Sequence, residues 1–142
     1  MGSVNINLGM FFETKSKDYK FKDIALPFTV SLNRDFEEIK DIASVQNGIA
    51  NIFQWRKGQR VLEPEFGTNI YQLLYEPINT STATLIGEYL KTDLERWEPR
   101  IKIDKLIIDP REEENTYYIQ VNYSVPALTN QILVFNAAIT RN

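Results

Sequence analysis

The groups of this sequence that could do chemistry are mainly carboxylates, because the side chains that most often carry catalysis or bind metals are missing. The chain contains no histidine and no cysteine. Their absence excludes Ser-His-Asp and Cys-His catalysis, disulfides, thiolate metal sites and the commonest general base near neutral pH. Any enzymatic activity would therefore have to rest on aspartate and glutamate side chains.

Glu63 and Glu65 are the pair with the spacing of a glycoside hydrolase. Such enzymes hold two carboxyl groups about 5 to 5.5 Å apart for retention, or roughly 6.5 to 9.5 Å apart for inversion. If residues 60–67 are extended, the two side chains share one face and lie about 6.6 Å apart along the backbone. Any E-x-E segment on a strand has this spacing, and nothing nearby indicates a sugar cleft. We therefore expect no enzymatic activity here.

A second acidic group, Glu112-Glu113-Glu114 with Asp109, has the oxygen ligands that hard cations prefer. Consecutive carboxylates in a turn more often form a solvated loop, in which each charge faces water. We therefore predict that the chain has no metal site and needs no cofactor.

Trp97-Glu98-Pro99-Arg100 is a polar corner, where a helical pattern ends and a strand pattern begins. Pro99 ends the helix because it has no N–H and its ring clashes with the preceding turn, and it biases Glu98 towards an extended backbone. A guanidinium held at this corner can bind a carboxylate through two parallel hydrogen bonds. The sequence leaves open whether Arg100 pairs with Glu98 or with a partner chain.

The composition is that of one folded domain. A length of 142 residues is enough for one core and short for two, and an aromatic content of 12% argues against disorder. The net charge of -3 comes without a basic cluster, which makes nucleic acid a poor partner. No apolar run approaches the roughly 20 residues that cross a membrane, and residues 1–10 lack a signal-peptide pattern. We expect an extended N-terminal arm of residues 1–33 before a single domain of residues 34–142, made in a cytoplasm.

The first amphipathic helix is predicted for residues 35–54. Asp35 and Glu38 have capping-box spacing, and apolar residues then recur at steps of three and four. Gly48 interrupts this stripe at a cost in helix propensity, and the close approach of another helix is one reason for a glycine there. The stripe is long for a domain of this size, so we expect it to serve both the core and a partner. Its apolar members are Phe36, Ile39, Ile42, Val45, Ile49, Ile52 and Phe53.

A second amphipathic helix is predicted to run from an N-cap within residues 79–81 to Trp97. Between the two helices, residues 60–67 are expected to be extended and residues 69–75 to form a short helical turn. Only one face of the second helix is apolar, so it packs on the core from one side. The apolar members of that face are Ala83, Ile86, Leu90, Leu94 and Trp97.

After the corner the apolar period changes to two, which predicts three strands, in residues 101–110, 117–125 and 131–140. The first strand ends at Asp109-Pro110, where the acidic turn begins. The residues expected on the inner face are Ile101, Ile103 and Ile107, then Tyr117, Ile119, Val121, Tyr123 and Val125, then Leu133, Phe135, Ala137 and Ile139.

These elements predict an α+β fold, with two main amphipathic helices packed on a C-terminal three-stranded antiparallel meander and an extended N-terminal arm. A three-stranded sheet leaves two edges, and each edge is either covered by a loop or the arm, or pairs with a strand of a partner. The candidate partner-binding residues are Ile39, Ile42, Val45, Ile49 and Ile52 of the first helix, with Leu133 and Phe135 of the third strand.

Short motifs in a fixed order resemble those of one family. They are Gly58-Gln59-Arg60 leading into Glu63-Pro64-Glu65-Phe66-Gly67, then Tyr75-Glu76-Pro77, then Trp97-Glu98-Pro99-Arg100-Ile101, with Leu26-Pro27-Phe28 before them. Over residues 24–140 the chain resembles the baseplate wedge proteins of contractile phage tails, often catalogued as gene 25-like lysozymes. That family includes the TssE component of the type VI secretion baseplate and counterparts in other contractile injection systems. The long leader before residue 24 departs from the family pattern.

The resemblance implies a structural part of the virion tail baseplate. Family members bind other wedge proteins with six-fold symmetry around the tail axis and template the first ring of tail sheath protein, without nucleic acid or membrane. Glu98, Pro99 and Arg100 match the EPR motif, which would fix the strand-bearing surface. Glu65, Phe66 and Gly67 match the EFG segment, where Gly67 would permit a turn that a side chain would block. The alternative is a lysozyme-like glycoside hydrolase acting on peptidoglycan, with Glu63 and Glu65 as its catalytic pair.

Overall fold

The computed structural model describes residues 3–7, 20–24 and 38–141 and confirms the α+β fold. No helix in these ranges is long and apolar enough to span a membrane. Leu26-Pro27-Phe28, Asp35 and Phe36 lie outside the described residues. The elements are β1 (Ser3–Asn7), β2 (Lys22–Ile24), β3 (Glu38–Lys40), α1 (Asp41–Gln54), α2 (Ile70–Leu73), α3 (Thr80–Trp97), β4 (Lys102–Arg111), β5 (Thr116–Val125) and β6 (Thr129–Thr140).

The main sheet has the strand order β1-β6-β5-β4, and all its pairs are antiparallel. The predicted meander of β4, β5 and β6 is therefore confirmed. The N-terminal strand β1 pairs with β6, with Val4 opposite Ile139 and Ile6 opposite Ala137. This covers one of the two edges that the sequence left open. Among the described residues, no strand pairs with the outer edge of β4.

The core lies between one face of this sheet and the helices. Alternate residues of β5 and β6 point inward, as the period of two predicts, and the Phe53 and Phe135 ring centroids lie 5.5 Å apart. Burying a side chain of this kind stabilises the fold by roughly 1.5–3 kcal/mol. The apolar helical residues of this core with at most 5% of their surface exposed are Val45, Ile49, Ile52, Phe53, Ile70, Ala83, Ile86, Leu90 and Leu94.

The bounds of α3 follow from local chemistry, as predicted. The side chain of Asn79, the N-cap, accepts a hydrogen bond from the Thr82 N–H at 2.8 Å, which satisfies one of the free donors of the first turn. At the other end, Glu98 is the C-cap and Pro99 follows it. The helix stops there because proline cannot continue the hydrogen-bond pattern.

The first long helix begins later than the capping-box spacing of Asp35 and Glu38 predicts. Residues 38–40 form β3, which pairs with β2, and α1 begins only at Asp41. The prediction of helix at residues 38–40 was wrong, because pairing with a distant segment supplies the backbone hydrogen bonds that a helix would otherwise make. Asp41 stands at this junction with a φ of 51°.

β4 departs from simple alternation in its middle. Its register against β5 shifts between Ile103 and Lys105, so one extra residue forms a bulge that reverses the inward side. Leu106 therefore packs against the core, whereas Ile107, predicted to face inward, is 37% exposed. β4 also continues through the predicted turn to Arg111. Its proline is tolerated because β4 is an edge strand.

Candidate functional site

The Glu98-Arg100 corner lies in the junction between the end of α3 and the start of β4. The Glu98 N–H donates to the Leu94 carbonyl at 2.8 Å and closes the last helical turn. The Ile101 N–H then donates back to the Glu98 carbonyl at 3.2 Å, which makes a tight turn around Pro99. This turn brings the side chains of Glu98 and Arg100 together.

Arg100 binds Glu98 through two parallel hydrogen bonds within the chain. Nε donates to Oε1 at 2.5 Å and Nη2 donates to Oε2 at 2.6 Å. The third nitrogen, Nη1, donates to the Ser44 hydroxyl of α1 at 3.0 Å. The hydrogen bond with Glu98, together with the negative charges of Glu98 and Asp23, raises the pKa of Arg100. Arg100 therefore pairs with Glu98 of its own chain, which answers the question that the sequence left open.

Gly48 of α1 leaves the space that this ion pair occupies. A Cβ at position 48 would lie 2.1 Å from Glu98 Oε2 and 2.9 Å from Arg100 Nη2. Glycine inside a helix costs roughly 0.5–1 kcal/mol relative to alanine. The close neighbour at Gly48 is thus the ion pair rather than another helix.

Residues 20–24 cover the outer side of the corner. The guanidinium carbon of Arg100 lies 5.2 Å from the centroid of the Phe21 ring, within the range of a cation–π contact. Asp23 Oδ2 accepts a hydrogen bond from the Asn47 side chain of α1 at 3.1 Å. The N-terminal segment, α1 and the start of β4 are therefore joined at one place.

The second motif region, residues 56–68, is a compact loop. The Gly58 N–H donates to the Pro64 carbonyl at 2.6 Å, and the Phe66 N–H donates to the Glu63 carbonyl at 3.0 Å. The extended conformation predicted for residues 60–67 was wrong, because these internal hydrogen bonds bend the chain into turns. Glu63 and Glu65 consequently do not share a strand face.

Only glycine fits at position 67, because the backbone has a positive φ there and a side chain would collide with a neighbouring group. The φ of Gly67 is 100°, in the region that favours glycine, and a Cβ there would lie 2.2 Å from the Trp55 carbonyl oxygen. That carbonyl accepts the Thr68 N–H at 3.0 Å and is held in place. This is the kind of turn that the resemblance implies for Gly67, with the Trp55 backbone as the obstacle.

Aromatic rings and arginines connect the loop to the corner. The Phe66 and Trp97 rings meet edge to face, with centroids 5.3 Å apart. The guanidinium carbon of Arg60 lies 4.4 Å from the Phe66 centroid, and that of Arg96 lies 4.8 Å from the Trp97 centroid. Because Trp97 immediately precedes Glu98, the loop packs on the last turn of α3, next to the ion pair.

A largely buried ion pair attaches the loop to α3. Lys57 Nζ lies 2.6 Å from Asp93 Oδ1, and the Asp93 side chain is only 3% exposed. Asp93 lies on the apolar face of α3, so a charge there needs a partner. Lys57 supplies it from the start of the loop.

The surroundings of Glu63 and Glu65 are those of surface residues. Glu63 Oε2 lies 3.0 Å from Arg60 Nη1, and Glu65 Oε2 lies 3.8 Å from Arg96 Nη1. Both glutamates are more than half exposed. A groove of about 450 Å³ lies between α3 and β4, and neither glutamate lines it. Both carboxylates therefore face solvent, and they lie outside this groove.

The acidic turn makes ordinary surface contacts. Asp109 Oδ2 accepts a hydrogen bond from Arg111 Nε at 2.7 Å, and Glu114 accepts one from the Tyr118 hydroxyl at 2.6 Å. Within the ranges that the structure describes, no three His, Cys, Asp or Glu side chains are grouped to hold a metal ion.

The predicted partner-binding residues divide by burial in the single chain. Four of them pack inside the core with at most 1% of their surface exposed. Ile42 and Leu133 are half-buried, and Ile39 lies in β3, where only the backbone is described. The four core residues are Val45, Ile49, Ile52 and Phe135.

Ser44, Lys57 and Asp93 are site residues that the sequence analysis missed. Ser44 and Asp93 are buried polar residues on helix faces that are otherwise apolar. A polar residue in such a position is a signal that another polar group packs there. Ser44 and Gly48 also stand one helical turn apart, and this spacing of small residues marks the close approach of the corner.

Comparison with known proteins gives one family. Residues 40–129 match the family model described as baseplate wedge protein gp25. Baseplate wedge protein gp25 of Enterobacteria phage T4 is 28% identical over 107 residues, which cover 74% of this chain and 80% of the phage protein. The region matched by the family model contains the loop, α3 and the corner.

Two solved structures share the fold. A candidate tail lysozyme from Geobacter sulfurreducens is 33% identical, with a TM-score of 0.59 over 66% of this chain and 86% of that one. A chain of the anti-feeding prophage baseplate is 18% identical, with a TM-score of 0.69 over 78% of this chain and 89% of that one. At 18% identity the second likeness concerns the fold alone. Since the family model covers more than half of its length, the chain belongs to the baseplate wedge protein gp25 family.

Proposed function

We propose that the protein is a structural, non-enzymatic subunit of a contractile tail baseplate wedge. The observation that carries this proposal is the family match over residues 40–129. In this role the protein lies in the tail baseplate, binds other wedge proteins and anchors the first ring of tail sheath. We expect six-fold symmetry around the tail axis, in line with the six-fold symmetrised baseplate that contains the anti-feeding prophage relative.

The corner supports this function by holding the sheet in a fixed orientation. Arg100 joins the end of α3 to Ser44 of α1, and Gly48 lets α1 approach the pair closely. The start of β4 therefore cannot rotate relative to the two long helices without breaking the ion pair. In the proposed role, Glu98, Pro99 and Arg100 set the angle at which the sheet is presented to the next protein.

The outer edge of β4, which no described strand covers, is the proposed contact for the sheath. β1 occupies the opposite edge of the main sheet, so among the described strands β4 provides the edge of that sheet to which a further strand can add. The bulge near Asp104 and the missing N–H of Pro110 interrupt hydrogen bonding at both ends of this edge. A strand of the sheath protein would thus pair with residues 105–109, beside the groove lined by Gly87, Leu106 and Ile108.

Single-cysteine cross-linking tests this contact directly, because the natural chain contains no cysteine. Ile107→Cys places a thiol on the outer face of β4, and Ser81→Cys places one on the exposed start of α3 as a control. In assembled particles, a short thiol-reactive cross-linker should join position 107 to the sheath protein and leave position 81 without that product. Sheath cross-links from position 81 alone would contradict the assignment.

The enzymatic alternative is a peptidoglycan hydrolase that uses Glu63 and Glu65. One relative is described as a candidate tail lysozyme, and that description concerns the Geobacter protein. The exposed positions of both glutamates favour the structural role. A peptidoglycan turbidity assay separates the two functions, since activity that disappears in both Glu63→Gln and Glu65→Gln would establish the hydrolase.

A further inference from the structure

We propose that Val61 and Leu62, at the tip of the 56–68 loop, form an apolar knob that inserts into an apolar pocket of another baseplate protein. This inference rests on the proposed function and adds a contact separate from the β4 edge. Val61 is 96% exposed and Leu62 is 94% exposed, whereas the other exposed large apolar residues in the described part of the chain reach 82% at most. Two neighbouring aliphatic side chains are thus almost completely in water.

Hydrogen bonds and an ion pair hold the loop that carries these two side chains. Its internal hydrogen bonds run from Gly58 to Pro64 and from Glu63 to Phe66, and Lys57 ties its start to the buried Asp93. A knob that is already ordered loses little conformational freedom when it enters a pocket. The loop is therefore preorganised for binding, although its tip makes no contribution to the core.

The charges beside the knob indicate a protein pocket rather than a lipid surface. Arg60 and Glu63 flank the knob and pair with each other at 3.0 Å, and Glu65 lies near Arg96. A segment that inserts into an anionic membrane usually carries unpaired basic residues, whereas the described arginines beside the knob, Arg60 and Arg96, lie near glutamates, and the net charge of the chain is -3. A neutral rim around an apolar centre is the arrangement of a protein–protein contact.

The shape of the knob also indicates which protein carries the pocket. A convex pair of aliphatic side chains needs a concave apolar pocket. A second copy would offer the groove between α3 and β4, but Glu88 and Lys91 place charged groups in its lining, beside the edge assigned to the sheath. We therefore assign the pocket to a different wedge subunit.

The test uses an isosteric polar variant and a matched apolar variant at the same positions. Val61→Thr with Leu62→Gln removes the apolar surface, whereas Val61→Ile with Leu62→Met keeps it. Each full-length variant complements a producer that lacks the gene, and baseplates are purified on a gradient. The polar variant should show about a tenfold or greater loss of the protein from baseplates, and the apolar variant should match the natural protein. Equal incorporation of both variants would overturn the inference.

The natural protein in the same experiment distinguishes a failure of this inference from a failure of the proposed function. If the natural protein is itself absent from purified baseplates, the proposed function fails. If the natural protein and the polar variant are present equally, only the knob contact fails. Because the rim is neutral, raising the salt concentration should release little of the natural protein, and strong release by salt would contradict an apolar contact.

A photo-cross-linker at the knob identifies the protein that carries the pocket. Leu62→Cys, labelled with a benzophenone maleimide, should cross-link to a different protein of the baseplate. A cross-link to a second copy of this chain, or concentration-dependent self-association in analytical ultracentrifugation that the polar variant abolishes, would overturn the assignment. Co-sedimentation of the purified protein with phosphatidylglycerol vesicles, lost in the polar variant, would overturn it in favour of a membrane contact.

Discussion

The Glu98-Arg100 corner and the 56–68 loop both carry family motifs, but their surfaces are arranged in opposite ways. At the corner, the charged motif residues face each other, and the Phe21 ring packs over Arg100. In the loop, Phe66 and Gly67 shape the backbone, while two residues outside the motif face the solvent. The difference teaches that the motif residues build the shape, and that neighbouring residues provide the exposed surface to which we assign a contact.

The largest effect is expected at the corner, where the Glu98 carboxylate is almost completely buried. Arg100→Met leaves the Glu98 carboxylate, whose side chain is 4% exposed, without its ion-pair partner. Breaking a buried ion pair in this way costs about 3–5 kcal/mol in the free energy of unfolding. Chemical denaturation of the purified variant measures this loss.

The reverse substitution is the matched control for this prediction. Glu98→Gln leaves Arg100, whose side chain is 27% exposed and can recruit water, so the loss should be smaller, about 1.5–3 kcal/mol. If Glu98→Gln destabilised the protein more than Arg100→Met, the buried carboxylate would not be the costly member of the pair.

The next effect is expected in the loop, at Gly67. An alanine there is strained at a φ of 100° and meets the fixed carbonyl of Trp55, so we expect a loss of about 2–4 kcal/mol. Gly58→Ala is the matched control, since Gly58 has a φ of 90° but nothing within 4 Å of the added Cβ. Backbone strain alone should lower its free energy of unfolding, by about 1–2 kcal/mol. Equal melting temperatures of the two variants would rule out the Trp55 carbonyl as the obstacle.

A smaller loss is expected at Gly48, where alanine would improve helix propensity but collide with the ion pair. The net result should be a destabilisation of about 1–3 kcal/mol, measured by urea unfolding. In a Glu98→Ala background the obstructing carboxylate is gone, so the same Gly48→Ala change should become neutral or stabilising. A loss of the same size in both backgrounds would mean that the close contact at Gly48 is not with Glu98.

The smallest effect on stability is expected at the loop tip. Val61→Thr with Leu62→Gln alters side chains that are already in water, so the free energy of unfolding should change by no more than about 0.5 kcal/mol. Thermal unfolding checks this value. A large loss of stability would show that the tip packs on the chain itself and would remove the contrast with the corner.

Local rules account for much of what the sequence predicted correctly. The bounds of α3 follow from Asn79 and Pro99, each of which acts on the adjacent helical turn. The inner face of β5 follows from alternation, since Tyr117, Ile119 and Val121 are all buried. Such features need only neighbouring residues, so one sequence was enough to predict them. The family resemblance also came from local motifs and their order.

Other features were decided only by the tertiary structure, because they depend on residues that are far apart in the chain. Residues 38–40 became a strand because β2 lies beside them, and Ile107 turned outward because a bulge shifts β4 against β5. The sequence placed Glu98 and Arg100 at a corner, but folding brought Ser44 and Gly48 to it and so determined the partner of Arg100. Sterics and capping act over a few residues, whereas the choice of a partner for a buried charge depends on what the fold brings within hydrogen-bonding distance.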